Sequence, residues 1–438
     1  MLDTLIRITF NVFLFLLPLF TLPIDTSGIE SDKQILLIIF SLLLLLFAAC
    51  TLIFAKKITW TRTPLDLPFA ALATIYLVSG VTSQNRIGAF TSPSGATTFL
   101  FLVLLYYTLT HIIASGKWTI RSLKSLFISS SLLSLIILLA SFSPYVTNYL
   151  GFGGNSISIA IFLLAVSTLL GSRFFFQYMI PGIKGPTGIM FALTALAALV
   201  LTFHLFTDRR PVFLPFSFGW TIIMEMGKNI QTFLLGVGPG NFLFAYLAGK
   251  PASLNATPLW NILFTSSTSF VLTIATEVGF LGFLAFVFLT RNVIRSLYMI
   301  PGINGKKYIN IFHHKGANRA YILPLIILFL SLYFFSSSLL TLILLVILLA
   351  FAMPKEELHY TIPGIRYTIP GIKGPKFRES LIIFPILFIV FLLYFAFRMY
   401  FANVFYRQAL LPYGTGQANV LRAFTLSEKA ISLNPYMD

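Results

Sequence analysis

Residues 234–242 read Leu-Leu-Gly-Val-Gly-Pro-Gly-Asn-Phe, with Gly236, Gly238 and Gly240 at two-residue spacing. Alternate positions without a Cβ open left-handed conformations and let a ligand or a second surface come close to the backbone. Pro239 stiffens the middle by fixing its own φ and removing one donor. The run is not a dinucleotide fingerprint, because its third glycine comes one residue early and no strand precedes it. Nor is it a phosphate-cradling loop, because no Gly-Lys-Ser/Thr follows. Its plain structural reading is a helix cap followed by a tight turn. Other chemistry is sparse. The five histidines show no ligand spacing, and the single cysteine, Cys50, lies in an apolar run, which leaves no intrachain disulfide and no cysteine-based metal site. No metal and no cofactor is expected.

The elements that must position this turn are apolar. The chain has 438 residues, 57% of them hydrophobic and 10% charged, where a soluble domain carries about 25% charge. That composition predicts an all-α, polytopic transmembrane helical bundle. Runs long enough to span a bilayer cover about eleven stretches: 5–23, 34–55, 66–82, 97–115, 123–142, 156–172, 187–206, 263–290, 321–335, 337–353 and 380–401. The first has no small-residue cleavage site and is followed at once by another span, so it reads as a retained helix. The short break within Ser331–Ser338 allows a tight helical hairpin or one bent span.

The net charge of +17 would suggest nucleic acid in a soluble protein. Here its sign depends on the side of the membrane each residue occupies. With the N-terminus inside, twenty of the thirty lysines and arginines fall in cytoplasmic segments, as the positive-inside rule expects. The excess then reflects topology and contact with the lipid bilayer, with no nucleic-acid partner. An N-in, C-out protein of the cell membrane follows. The expected organisation is a transmembrane domain over 1–401, containing a large extracytoplasmic loop at 207–262, and an extracytoplasmic helical tail over 402–438. The outer loops 83–95 and 143–155 complete that face.

The long outer segment opens with Thr207-Asp208-Arg209-Arg210-Pro211 at the end of the seventh span, where His204 also lies. An amphipathic helix is expected at Trp220–Leu235. Ile223, Met226, Ile230 and Phe233 recur at helical spacing, and Glu225, Lys228, Asn229 and Thr232 share another face. Such a helix lies along the membrane interface, and Gly236 ends it. An Ile-Pro-Gly-Ile repeat, in copies starting at Tyr178, Tyr298, Tyr360 and Tyr367, falls in the expected cytoplasmic loops. Its Pro-Gly pairs are turn signals, and it is assigned no chemistry.

The glycine run, the preceding Trp220 and a following span with Glu277-Val-Gly279-Phe-Leu-Gly282 together resemble the O-antigen ligase and polymerase family. The resemblance covers about residues 217–282. It implies a GT-C-like fold that moves a glycan from a polyprenyl-diphosphate carrier to a glycan, lipid or protein acceptor, without nucleotide sugar or metal. A departing diphosphate needs positive charge, and the arginine fork suits phosphate. Arg86, Arg209 and Arg210 are the outer arginines in reach, and Gly236, Gly238, Pro239, Gly240, Asn241 and Phe242 form the substrate-loop motif. The chain departs from the family at Phe264-Thr-Ser-Ser-Thr-Ser-Phe270, where a histidine base is expected and none is present. Either Glu277 or His204 substitutes, or the acceptor differs, or the chain is a catalytically inactive scaffold for envelope assembly. A secondary transporter is the alternative from another class; it would show midplane charges in interrupted helices. In the tail, Ala423, Ala430 and Pro435 match the second half of a tetratricopeptide repeat, whose role would be protein or acceptor docking.

Overall fold

A computed structural model of the chain describes residues 2–20, 29–54, 58–114, 118, 120–141, 156–178, 187–207, 212–298, 319–360, 376–410 and 417–435. The principal helices are α1 (Leu2–Leu19), α2 (Ile29–Phe54), α3 (Asp66–Thr82), α4 (Arg86–Thr91), α5 (Ala96–Ala114), α6 (Lys124–Ser141), α7 (Ser156–Tyr178), α8 (Thr187–Thr207) and α9 (Phe216–Met226). After them come α10 (Ile230–Leu235), α11 (Phe242–Gly249), α12 (Phe270–Glu277), α13 (Gly279–Tyr298), α14 (Ile322–Phe334), α15 (Leu339–Ala352), α16 (Lys376–Leu410) and α17 (Gln417–Leu433). Two short strands, β1 (Ile58–Arg62) and β2 (Glu356–Tyr360), pair antiparallel from Ile58 opposite Tyr360 to Arg62 opposite Glu356. The protein is an all-α helical bundle apart from this ladder.

Each expected span falls on a helix, and the one at 263–290 falls on two. Among the described residues, seven helices are long and apolar enough to cross a membrane, and four shorter apolar ones accompany them. α15 lies at the centre and is apolar and buried all round, as a helix without a polar face must be. It packs against α2, α5, α7 and α14. Phe10, Phe13, Leu14 and Leu17 of α1 and Leu105 and Tyr106 of α5 join the same core. Outward faces stay apolar: Ile189, Leu196, Leu199 and Phe203 of α8 and Phe388 and Phe391 of α16 are exposed. In water such a surface would aggregate, so its solvent is lipid.

One end of the bundle is tied by polar residues that close helix termini. Lys33 Nζ donates to the carbonyls of Leu17 (2.6 Å) and Phe20 (2.7 Å), capping α1. A cation at a helix C-terminus meets the negative end of the macrodipole and its orphan carbonyls. Glu30 Oε2 accepts from Leu339 N at 2.8 Å, at the start of α15. The α3–α5 connection, the start of α12 and the end of α14 meet at this same end, where Phe270 N donates to Phe335 O at 3.0 Å. The β1–β2 ladder lies at the other end. There Tyr106 Oη donates to Thr63 Oγ1 (2.9 Å) and Tyr107 Oη to Asp66 O (2.8 Å).

Four differences from the sequence reading have clear causes. The amphipathic helix expected at Trp220–Leu235 is two helices, because Gly227 caps α9 and Asn229 starts α10 with its side chain accepting from Gln231 N at 2.9 Å. Its expected apolar stripe is therefore not one face: Ile223 and Met226 are half-buried, whereas Ile230 and Phe233 are exposed. The segment 212–264 also has a small core of its own, with Leu214, Ile222, Phe242, Tyr246, Leu254 and Phe264 buried together. It forms a cap rather than a loop. The outer loop 83–95 contains α4, started by Asn85 Oδ1 accepting from Gly88 N.

The boundary expected at 401/402 falls inside α16. That helix's 35 residues span roughly 52 Å, more than the ~30 Å hydrocarbon core. α17 packs along α16, with Ala402 and Ala409 of one and Ala423 and Ala430 of the other buried and Arg398 Nη2 donating to Ser432 O at 3.0 Å. Two of the three repeat-like positions thus serve close helix packing, and Pro435 lies exposed just past α17. The Ile-Pro-Gly-Ile copies run from Tyr178, Tyr298 and Tyr360 into segments outside the described residues, as does the copy starting at Tyr367.

Candidate functional site

The glycine turn is clamped from two sides. Gly236, Gly238 and Gly240 have φ of 72°, 108° and 74°, and Gly279, which opens α13, has φ of 77°. These are left-handed values that disfavour any residue with a Cβ. The space around them is equally exclusive. A Cβ on Gly236 would overlap the Glu277 carbonyl, one on Gly238 the Ser83 hydroxyl and one on Gly240 the Ser92 hydroxyl. On Gly279 it would lie 2.5 Å from the amide nitrogen of Gly236. The two glycine sites are thus one contact, in which the 236–240 backbone lies against the break between α12 and α13.

Hydrogen bonds fix that contact. Val237 N donates to Thr276 O (3.2 Å) and Gly238 N to Glu277 O (2.8 Å). Gly240 N donates to Glu277 Oε2 at 2.9 Å. Gly236 N donates to Thr232 O, capping α10, and Asn241 N to Gly238 O. With Pro239 lacking an N–H, every backbone donor from 236 to 241 is committed to the protein. The turn is therefore a clasp and offers no nest of free amides to an anion.

On its other side the turn meets the end of α3 and the start of α4. Ser79 Oγ donates to Leu235 O at 2.6 Å and Ser83 Oγ to Val237 O at 2.7 Å. Asn241, buried, donates its Nδ2 to Ser83 Oγ (2.9 Å) and to Asn85 O (3.0 Å). Arg86 follows directly, exposed at the first position of α4. Gln34 of α2 holds the far end of α4 through the carbonyls of Thr91 and Ser92, both at 3.1 Å. Residue 86, far from the glycine run in sequence, thus directly follows Asn85, whose carbonyl the run's Asn241 binds.

Glu277 is buried, at 3% exposure. One carboxylate oxygen takes the Gly240 amide, and Oε1 has no hydrogen-bond partner among the described residues. The Phe242 amide also faces this carboxyl group, and a carboxylate buried in an apolar bundle is costly and is a functional candidate for that reason. The segment replacing the expected histidine packs on α9: Thr268 Oγ1 donates to Leu214 O, and Ser267 Oγ lies where a Cβ on Gly219 would be, at 2.6 Å.

The structure thus brings together Arg86, Glu277 and Gly236–Phe242. His204 is elsewhere: it lies near the end of α8, which packs chiefly on α6 and α7, and its ring stands edge-on to Phe203 at 6.2 Å. Arg209 and Arg210 lie outside the described residues. Sequence reasoning missed Ser79, Ser83, Asn85 and Gln34 as partners of the turn. Ser83 and Asn85 were signalled only by a polar break, Ser83-Gln-Asn85, directly after an apolar run, and Ser79 and Gln34 by nothing local. Compared with known protein families, curated proteins and solved structures, the chain matches none.

Proposed function

We propose that the protein is a membrane glycosyltransferase of the O-antigen ligase and polymerase type. It moves a glycan from a polyprenyl-diphosphate carrier to an acceptor on the outer face of the cell membrane. The observation that carries this reading is the clasp itself: the glycine turn of the 212–264 cap, Glu277 and the α3–α4 turn bearing Arg86 form one assembly. In this reading the chain crosses the membrane eleven times, N-in and C-out, in a GT-C-like arrangement. Arg7, Arg62, Lys124, Arg291 and Arg295 then lie inside, following the charge bias of cytoplasmic loops.

Arg86, with Arg209 and Arg210, holds the diphosphate and stabilises it as it leaves. The clasp sets the distance of Arg86 from the acceptor. Glu277, or His204 if the cap brings it near, takes the acceptor proton in place of the absent histidine.

A second reading draws on a specific feature. The break between α12 and α13 puts a buried carboxylate at an interrupted helix, which is where secondary transporters bind ions and substrates. One set of variants separates the two. In a reconstituted assay with a lipid-linked glycan, Arg86→Ala, Arg209→Ala and Arg210→Ala each reduce transfer at least about tenfold, the effect of roughly 1.4 kcal/mol of lost transition-state stabilisation. Their unfolding midpoints stay near wild type. Glu277→Gln, which keeps an acceptor for Gly240 N, abolishes transfer if Glu277 is the base and is tolerated if it is only a strut. Unchanged transfer in all three arginine variants, or ion-coupled solute uptake into vesicles that Glu277→Gln removes, would overturn the transferase reading.

A further inference from the structure

We infer that the short helix α10 is a membrane anchor for the clasp: the acyl chains of the leaflet at the glycine end cover its outer face and, through it, steady the glycine turn. The helix reads Ile-Gln-Thr-Phe-Leu-Leu and carries no charge. Ile230, Phe233 and Leu234 fall within about 100° of one another around its axis. They are 78%, 45% and 36% exposed. The other side is turned inward, where Thr232 Oγ1 donates to Met226 O at 2.5 Å and Leu235 O accepts from Ser79 Oγ.

Two contacts fix where that outer face lies. On one flank Gln231 Nε2 donates to the carbonyl of Thr82, the last residue of α3, at 3.3 Å. On the other, Phe233 stacks on Phe280, in the first turn of α13, with the rings 13° from parallel. α10 therefore lies across the neighbouring ends of α3 and α13, at the rim of the bundle. All three elements are among the described residues.

The occupant follows from continuity. α13 is long and apolar enough to cross a membrane, and Phe280 and Leu284, one turn apart along it, are exposed. Val78 and Val81 are exposed in the same way near the end of α3, which packs beside α13. Lipid that covers these rows up to Phe280 also meets Phe233, and Ile230 and Leu234 extend the same apolar surface. In water that uncharged surface would be an aggregation site. The polar boundary is close by. Lys228 and Glu225 form an exposed ion pair at 2.7 Å just before α10, as suits a segment lying in the headgroup region with its apolar face in the acyl chains. Gly236 ends α10 and is also the first residue of the clasp, so no linker separates the anchor from the turn.

The test uses the full chain in nanodiscs of phosphatidylethanolamine and phosphatidylglycerol, in a Cys50→Ala background, with spin labels at single cysteines. Labels on Ile230→Cys and Leu234→Cys collide with oxygen, which concentrates in lipid, as a label on Leu284→Cys does. A label on Lys228→Cys collides instead with a water-soluble nickel chelate. Nickel access at 230 and 234 equal to that at 228 would overturn the inference, because the face would then lie in water. Exclusion of both reagents would overturn it too, because protein, such as a second copy of the chain, would be the cover. Hydrogen–deuterium exchange in the same nanodiscs tests the link to the clasp. Ile230→Asp exchanges its amides at 230–240 at least about tenfold faster than wild type, since the opening of a region follows the burial that holds it, and Ile230→Leu exchanges as wild type does. If the Asp variant does not fold, Ile230→Ser carries the same comparison. Wild-type exchange in the polar variant would show that lipid does not steady the turn. None of these readouts depends on glycan transfer, so the result is independent of the proposed activity.

Discussion

A methyl group at position 240 would be opposed twice over. The backbone there has φ of 74°, which costs a residue with a Cβ about 1–2 kcal/mol by itself, and the new carbon would overlap the Ser92 hydroxyl. Gly240→Ala therefore lowers the unfolding midpoint in detergent and weakens the Glu277 bond, whose donor is the Gly240 amide. The two costs are separable. Removing the obstructing side chain with Ser92→Gly relieves the overlap and leaves the φ strain, so the double variant recovers part of the loss and not all of it. Strictly additive midpoint changes in that cycle would mean that the two residues do not touch. The comparison also shows why a glycine run that resembles a ligand loop can be something else. All its amides are spent on Glu277, Thr276, Thr232 and Gly238, so the missing side chains admit other parts of the protein. Chemistry at this place must come from side chains at the turn's edge, and the nearest cation in sequence to the clasp's α3–α4 side is Arg86, next to Asn85.

At the scale of elements, α10 joins the cap to the bundle. It is six residues long, too short to persist without its ends secured. Asn229 secures one end by accepting from Gln231 N, Gly236 closes the other, and Phe233 stacks on Phe280 of α13 with ring centroids 5.3 Å apart. Asn229→Ala removes a cap worth about 1 kcal/mol. Faster amide exchange confined to 230–235, with α13 unchanged, is the expected result in hydrogen–deuterium exchange; protection equal to wild type would show that the Phe233 contact alone holds the helix. The same region marks the limits of the sequence reading. Long apolar runs were legible because bilayer-length hydrophobicity is a strong local signal, and Gly236 as a helix end was legible because its residue type fits one role. The break at 227–229 was not, since the three-and-four spacing continues across it from Ile223 to Phe233 and only the Gly227–Asn229 pair interrupts it. Pairings across long separations were also hidden. Nothing local links Asn241 to Ser83, Glu277 to Gly240, or β1 to β2.

For the whole molecule, the two ends of the bundle differ in a way that bears on the proposed orientation. The glycine end carries helix-capping groups that neutralise one another's termini, such as Lys33 on the carbonyls of α1 and Glu30 on the amide of α15. The other end carries Arg7, Arg62 and Lys124 in the first turns or connections of α1, α3 and α6. Cytoplasmic loops retain such cations because translocating them is unfavourable. On the proposed N-in reading, the glycine end, and with it the whole proposed site, faces away from the cytosol. Labelling tests this directly, since Cys50 is the sole native thiol. In a Cys50→Ala background, Lys228→Cys, exposed on the cap, reacts with a membrane-impermeant maleimide in intact cells. Arg62→Cys, exposed beside β2, reacts only after the membrane is permeabilised. The reverse pattern would place the clasp in the cytosol, where a carrier-linked glycan awaiting transfer on the outer face could not reach Arg86. In that case the transferase reading fails whatever the chemistry of the individual residues.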